Sequence, residues 1–158
     1  MAFRQAQGIR DAAAVPHLTV KARSGLDDDL GWLELVPAVA AATPPIPVEL
    51  LAARVFPNGR ALYLPARSPG AVRLYLDLLG ALRPARRFGY EGPHLTPHLT
   101  LALGRRDMSM DAPAGRRAAG FPHPPTFTAT ELVWMRKPGP GGAYQPVQSW
   151  TLGGTRDP

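Results

Sequence analysis

At 158 residues the chain is long enough for a single domain with a real core, and no composition shift marks a second one. The absence of cysteine excludes disulfide scaffolds, cysteine nucleophiles and thiolate metal sites, and makes the cytoplasm the expected address. A formal charge of +6 favours anionic partners such as phosphates or RNA, although a composition biased to arginine, alanine and proline accounts for the sign equally well.

Residues 1–16 show no basic start, apolar stretch and small-residue cleavage site of a signal peptide, and residues 3–14 are compatible with a short helix. Residues 16–22 alternate His17, Thr19 and Lys21 against Leu18, Val20 and Ala22, the period of a strand. Asp27, Asp28 and Asp29 suit the positive end of a helix dipole, and Leu30, Leu33 and Val36 follow at near-helical spacing. Together they predict a helix over 26–42. The apolar run 36–42 is broken by Pro44, Pro45 and Pro47, far short of the roughly 20 residues a membrane helix needs.

Residues 48–56, the turn Pro57-Asn58-Gly59 and residues 61–66 predict a β-hairpin. Val72, Tyr75, Leu76, Leu79 and Leu82 predict a helix over 69–83, with Pro69 in its first turn. After a loop at 86–92, residues 98–103 alternate His98, Thr100 and Ala102 against Leu99, Leu101 and Leu103, a second strand like the first. Residues 107–120 fit a helix by their methionines and alanines and a loop by Pro113 and Gly115. Strands over 127–135 and 144–152, joined by a turn at 138–142, close an α+β fold with largely antiparallel sheets.

One internal echo stands out: Pro16-His17-Leu18-Thr19-Val20 returns as Pro97-His98-Leu99-Thr100-Leu101. In each copy the strand period puts histidine and threonine on one face, about 6.5 to 7 Å apart, with leucine on the other. Two such strands across a cleft surround a small anion with two imidazoles and two hydroxyls. Phosphodiester cleavage uses such a set. One neutral histidine takes a proton from the attacking oxygen, and a protonated one supplies a proton to the departing oxygen. Threonine hydroxyls donate to the non-bridging oxygens as their charge grows. No metal or other cofactor is called for.

Lys21 on the histidine face, and Arg105 with Arg106 after the second motif, are either phosphate contacts or solvated charges. Lys21 and Lys137 are the only lysines; every other basic residue is arginine. Pro93-His94-Leu95-Thr96 competes for the second motif, but Thr96 is followed by Pro97, which cannot donate to a ladder, whereas Thr100 continues into an apolar strand. The choice therefore falls on His98 and Thr100, leaving His94 at the cleft entrance or in a loop. Phe88 and Tyr90, set among arginines, either stack a base or cap the preceding helix. His123, between two prolines, reads as a surface loop residue.

At His17-Leu18-Thr19-Val20 and His98-Leu99-Thr100-Leu101 the sequence resembles the 2H phosphoesterase superfamily, which includes 2'-5' RNA ligases and RNA 2',3'-cyclic phosphodiesterases. The hairpin, the 69–83 helix, the 127–135 strand and the closing Ser149-Trp150-Thr151-Leu152-Gly153 fall in the order that family shows, so the resemblance covers nearly the whole chain. It implies a bilobal α+β fold: two antiparallel sheets with flanking helices, related by a pseudo-twofold axis around a central groove. It further implies that His17 and His98 are the acid/base pair and that Thr19 and Thr100 bind phosphate. Relatives begin with an extra strand and a full helix before the first motif, whereas 16 residues stand here. Either this start lies downstream of the true one, or this lobe has a smaller sheet with an exposed edge that could pair with another chain.

The resulting expectation is a single monomeric domain over 1–158. It hydrolyses a ribose 2',3'-cyclic phosphate, in RNA ends or nucleotides, to the 2'-phosphate, with 2'-5' ligation as a side activity. Two readings compete. In one, a binding module holds RNA ends or phosphorylated ligands in the same cleft without turnover; in the other, an interaction protein carries its histidines as surface decoration.

Overall fold

The computed structural model describes residues 15–23, 25–57, 61–87, 95–103, 126–139 and 142–154. A 3-10 helix, Gly31–Leu35, runs into helix α1 (Val36–Ala42). Strands β1 (Ile46–Leu50), β2 (Arg54–Val55) and β3 (Ala61–Arg67) follow, then helix α2 (Pro69–Leu82). Strands β4 (His98–Leu103), β5 (Thr126–Ala129), β6 (Glu131–Arg136) and β7 (Gln145–Thr151) complete the order. The described strands form a five-stranded and a two-stranded antiparallel sheet, an α+β arrangement as the sequence pattern predicts.

β3 is the central strand, with β1 and β2 along one edge and β4 along the other, while β5 pairs with the far edge of β1. Its residues are buried on both faces, with Leu62 wholly enclosed. The predicted hairpin strand over 48–56 is split here into β1 and β2, and Pro65 supplies the reason. Leu51 N–H donates to the Pro65 carbonyl at 2.7 Å, but Pro65 has no N–H to return the bond, so the ladder lapses before β2 resumes it.

The predicted strand over 127–135 is corrected too, dividing into β5 and β6. β5 pairs with β1 as far as Ala129 opposite Ile46. Beyond that pair the Thr130 carbonyl accepts from Leu152 N–H at 2.8 Å, and from Glu131 onward the chain pairs with β7.

Helix α2 stands where the sequence predicts it, but its buried face is rotated: of the expected stripe Tyr75 and Leu79 are buried, Val72 and Leu82 are half-buried and Leu76 is exposed. Ala71, Leu74, Tyr75, Leu78 and Leu79 form the buried stripe, each large apolar side chain contributing about 1.5 to 3 kcal/mol. Ser68 caps it, accepting from Ala71 N–H while its own hydroxyl donates to the Pro47 carbonyl at 2.9 Å, and Arg83 ends it in the left-handed region.

The helix expected over 26–42 is corrected in its first half. Leu30 adopts a left-handed φ of 63°, and Asp29 accepts from Gly31 N–H at 2.9 Å, so the acids build a turn rather than a first helical turn. Pro37, which cannot donate to a carbonyl one turn back, is accommodated only because α1 begins at Val36. The first-motif segment also differs from expectation: residues 16–22 form one isolated bridge, at Leu18, instead of a strand. The expected helix at 3–14 and the 107–120 stretch lie outside the described residues, as does most of the 86–92 loop. No helix among the described residues is long and apolar enough to cross a membrane.

Candidate active site

Both histidine-threonine segments owe their position to the same core. Leu18 and Val20 from the first and Leu99 from the second pack against the cluster built on Leu62, Leu64, Leu74 and Leu101. Burying every second side chain leaves the intervening ones on the opposite face. In β4 a bulge at Leu101, between the pairs Leu62 with Ala102 and Tyr63 with Thr100, interrupts that alternation. Leu101 and Ala102 are therefore both buried, whereas strict alternation placed Ala102 on the histidine face.

The two segments meet in an antiparallel bridge between Leu18 and Leu99. Extended by one residue to each side, that register sets His17 opposite Thr100 and Thr19 opposite His98. Antiparallel pairing carries a local twofold relation at each directly opposed pair. Here it exchanges His17 with His98 and Thr19 with Thr100, and puts the two histidines on a diagonal of about 7 to 8 Å at the backbone.

The imidazoles are held alike. His17 Nδ1 lies 2.9 Å from the Val15 carbonyl and His98 Nδ1 lies 3.0 Å from the Thr96 carbonyl, in each case two residues back. A carbonyl oxygen only accepts, so Nδ1 is the donor in both rings, and Nε2 is the nitrogen available to a ligand. His17, His98 and Thr100 are half-buried and Thr19 is exposed, so solvent and ligand reach the face.

Their ring environments differ. His98 is met edge-on by Phe56 at 5.1 Å and Tyr63 at 5.5 Å, rings that stack on each other at 4.1 Å. His17 is met edge-on by Tyr144 at 6.1 Å, and Lys137 Nζ sits 4.8 Å from the centre of that tyrosine ring. None of these four neighbours was a sequence candidate. Tyr63 carried a faint signal, as the one polar-tipped residue in the otherwise apolar run 61–66 of β3; the others come near only through tertiary pairing.

Of the remaining candidates, Lys21 is half-buried beside the first motif and donates to the Ala22 carbonyl at 2.7 Å. Arg105, Tyr90 and His94 lie outside the described residues. Among the described residues, no group of three His, Cys, Asp or Glu side chains could hold a metal ion.

A model of the 2'-5' RNA ligase superfamily matches residues 2–140. Among solved structures, TT0787 of Thermus thermophilus superposes with a TM-score of 0.62 at 23% identity, covering 98% of this chain and 90% of that one. E. coli LigT complexed with NADP+ gives 0.60 at 22% identity, covering 96% and 88%. E. coli LigT complexed with 3'-AMP gives 0.57 at 22% identity, covering 96% and 87%. These likenesses establish the fold. No curated protein sequence matches the chain.

Proposed function

This chain belongs to the 2'-5' RNA ligase superfamily, and from that premise we propose that it hydrolyses a ribose 2',3'-cyclic phosphate, at an RNA end or in a nucleotide, to the 2'-phosphate. Reversible 2'-5' ligation is the accompanying side activity. The nucleotide-bound structures of E. coli LigT support a nucleotide-sized ligand for this fold.

The observation that carries the reading is the Leu18–Leu99 bridge with its matched pair of Nδ1–carbonyl bonds. Displacement at phosphorus needs a base on the side of the attacking oxygen and an acid on the side of the leaving one. A diagonal pair of histidines with Nε2 available supplies both. One neutral imidazole takes a proton from water as its oxygen bonds to phosphorus. The other, protonated, gives a proton to the ribose 3'-oxygen as the P–O3' bond breaks, leaving the phosphate on the 2'-oxygen. Thr19 and Thr100, on the other diagonal, donate to the non-bridging oxygens.

The test is turnover of a nucleoside 2',3'-cyclic phosphate in chelating buffer by wild type, His17→Ala and His98→Ala, with the product isomer identified. Loss of about 10²- to 10⁴-fold in each variant, with 2'-phosphate as the product, is expected. No turnover by wild type together with retained phosphate binding would replace the reading with a non-catalytic RNA- or phosphate-ligand module. Full activity in either variant would remove that histidine from the mechanism.

A further inference from the structure

Lys137 and Tyr144 extend the register of the β6–β7 hairpin by one pair beyond Arg136 opposite Gln145, so they face each other where the two-stranded sheet ends. Tyr144 turns its edge to His17 while Lys137 lies over its ring face. Steps of 4.8 and 6.1 Å keep the ammonium within about 11 Å of the imidazole centre. The Tyr144 ring, in contact with both, sets Lys137 off from the imidazole that would serve the reacting phosphorus. Lys137 is placed for a second anion.

Composition points the same way. Of 18 basic residues only two are lysines: Lys21, four residues after His17, and Lys137, across Tyr144 from it. A compact ammonium on a flexible stem binds phosphate as a point charge, and the exposed tyrosine ring beneath it limits the space it samples.

Resting on the cyclic-phosphate reading above, we infer that Lys137, held by Tyr144, is a specificity subsite for a phosphate on the 5'-oxygen of the nucleoside whose cyclic phosphate reacts. A 2',3'-cyclic phosphate ends its strand, so the neighbouring phosphate is the one carried by the 5'-oxygen of the same ribose. Two sources share that chemistry: the internucleotide link of an RNA end and a terminal 5'-phosphate.

Three substrates separate the possibilities: a nucleoside 2',3'-cyclic phosphate with a free 5'-hydroxyl, the same compound bearing a 5'-phosphate, and a dinucleotide ending in the cyclic phosphate. Wild type is expected to favour the two 5'-linked substrates by about tenfold in kcat/KM, the size of one exposed charge-assisted contact. In Lys137→Met that ratio falls to within about twofold of unity, and raised salt erodes it in wild type. Tyr144→Phe keeps the ratio and Tyr144→Leu lowers it, with thermal melts showing that each variant is folded. Preference for the dinucleotide over the 5'-phosphorylated nucleoside would assign the subsite to RNA ends; the reverse would assign it to small nucleotides. A wild type indifferent to the 5'-phosphate, or an unchanged ratio in Lys137→Met, would overturn the inference. Dissociation constants for nucleoside 2'-phosphates with and without a 5'-phosphate separate this failure from failure of the reaction assignment. A Lys137-dependent preference in binding without any turnover would remove the reaction and leave the subsite standing.

Discussion

Replacing Tyr63 by leucine tests whether the aromatic cluster positions His98. The substitution removes the 4.1 Å stack on Phe56 and the 5.5 Å edge contact with His98, leaving the Phe56–His98 contact and the Nδ1 bond to Thr96. At about 0.5 to 1.5 kcal/mol per aromatic pair, the two lost contacts cost the fold about 1 to 3 kcal/mol. The share borne by His98 is one such contact. Converted at about 1.4 kcal/mol per tenfold, this predicts a two- to tenfold fall in kcat with KM changed less. Urea denaturation measures the first figure, and steady-state turnover of a nucleoside cyclic phosphate the second. Tyr63→Phe keeps both rings in contact and is expected to retain kcat. Equal losses in Tyr63→Phe and Tyr63→Leu would transfer the effect to the hydroxyl. An undiminished kcat in Tyr63→Leu, with the stability loss present, would refute the positioning argument.

Ser68→Ala removes both the cap of α2 and the bond to the Pro47 carbonyl at a buried position, and is expected to cost about 1 to 3 kcal/mol in denaturant titration. Gly25→Ala introduces a Cβ 2.2 Å from the Arg86 carbonyl at a φ of 72°, a clash with backbone that cannot be relieved by a side-chain turn. Because Gly25 also accepts from Ala85 N–H, its replacement should lower the melting temperature and, by shifting the segment that follows His17, lower turnover as well.

The parts of the fold written as local patterns were legible in the sequence. Helix α2 carries its apolar spacing and its opening proline within a single segment, although the face it buries includes Leu74 and Leu78 rather than Leu76, and the β6–β7 pair follows from alternation about a turn. The corrections come from pairings that a local pattern does not contain. Pro65 reads as an ordinary strand residue until Leu51 is known to lie across from it, and the change of sheet after Ala129 depends on Leu152 meeting the Thr130 carbonyl. The three aspartates suit a helix start and a turn equally, and Leu30 in the left-handed region resolves the ambiguity toward the turn. The site divides in the same way. The echo of His-x-Thr is visible by inspection, and so is the face each copy presents, whereas Phe56, Tyr63, Lys137 and Tyr144 reach the histidines only through the assembled sheets.

The Leu18–Leu99 bridge also orders events in time. Leu18 leaves the ribosome 81 residues ahead of its partner, an interval of about 4 to 16 seconds at usual rates of synthesis. Through that interval the first histidine has no counterpart, and closing so long a loop carries an entropic cost that nearby contacts must first offset. The central hairpin and α2, which need only local closures, are available to form meanwhile. The histidine pair is therefore among the last features to be completed, and a nascent chain arrested before Leu99 would carry one histidine of the pair without the other.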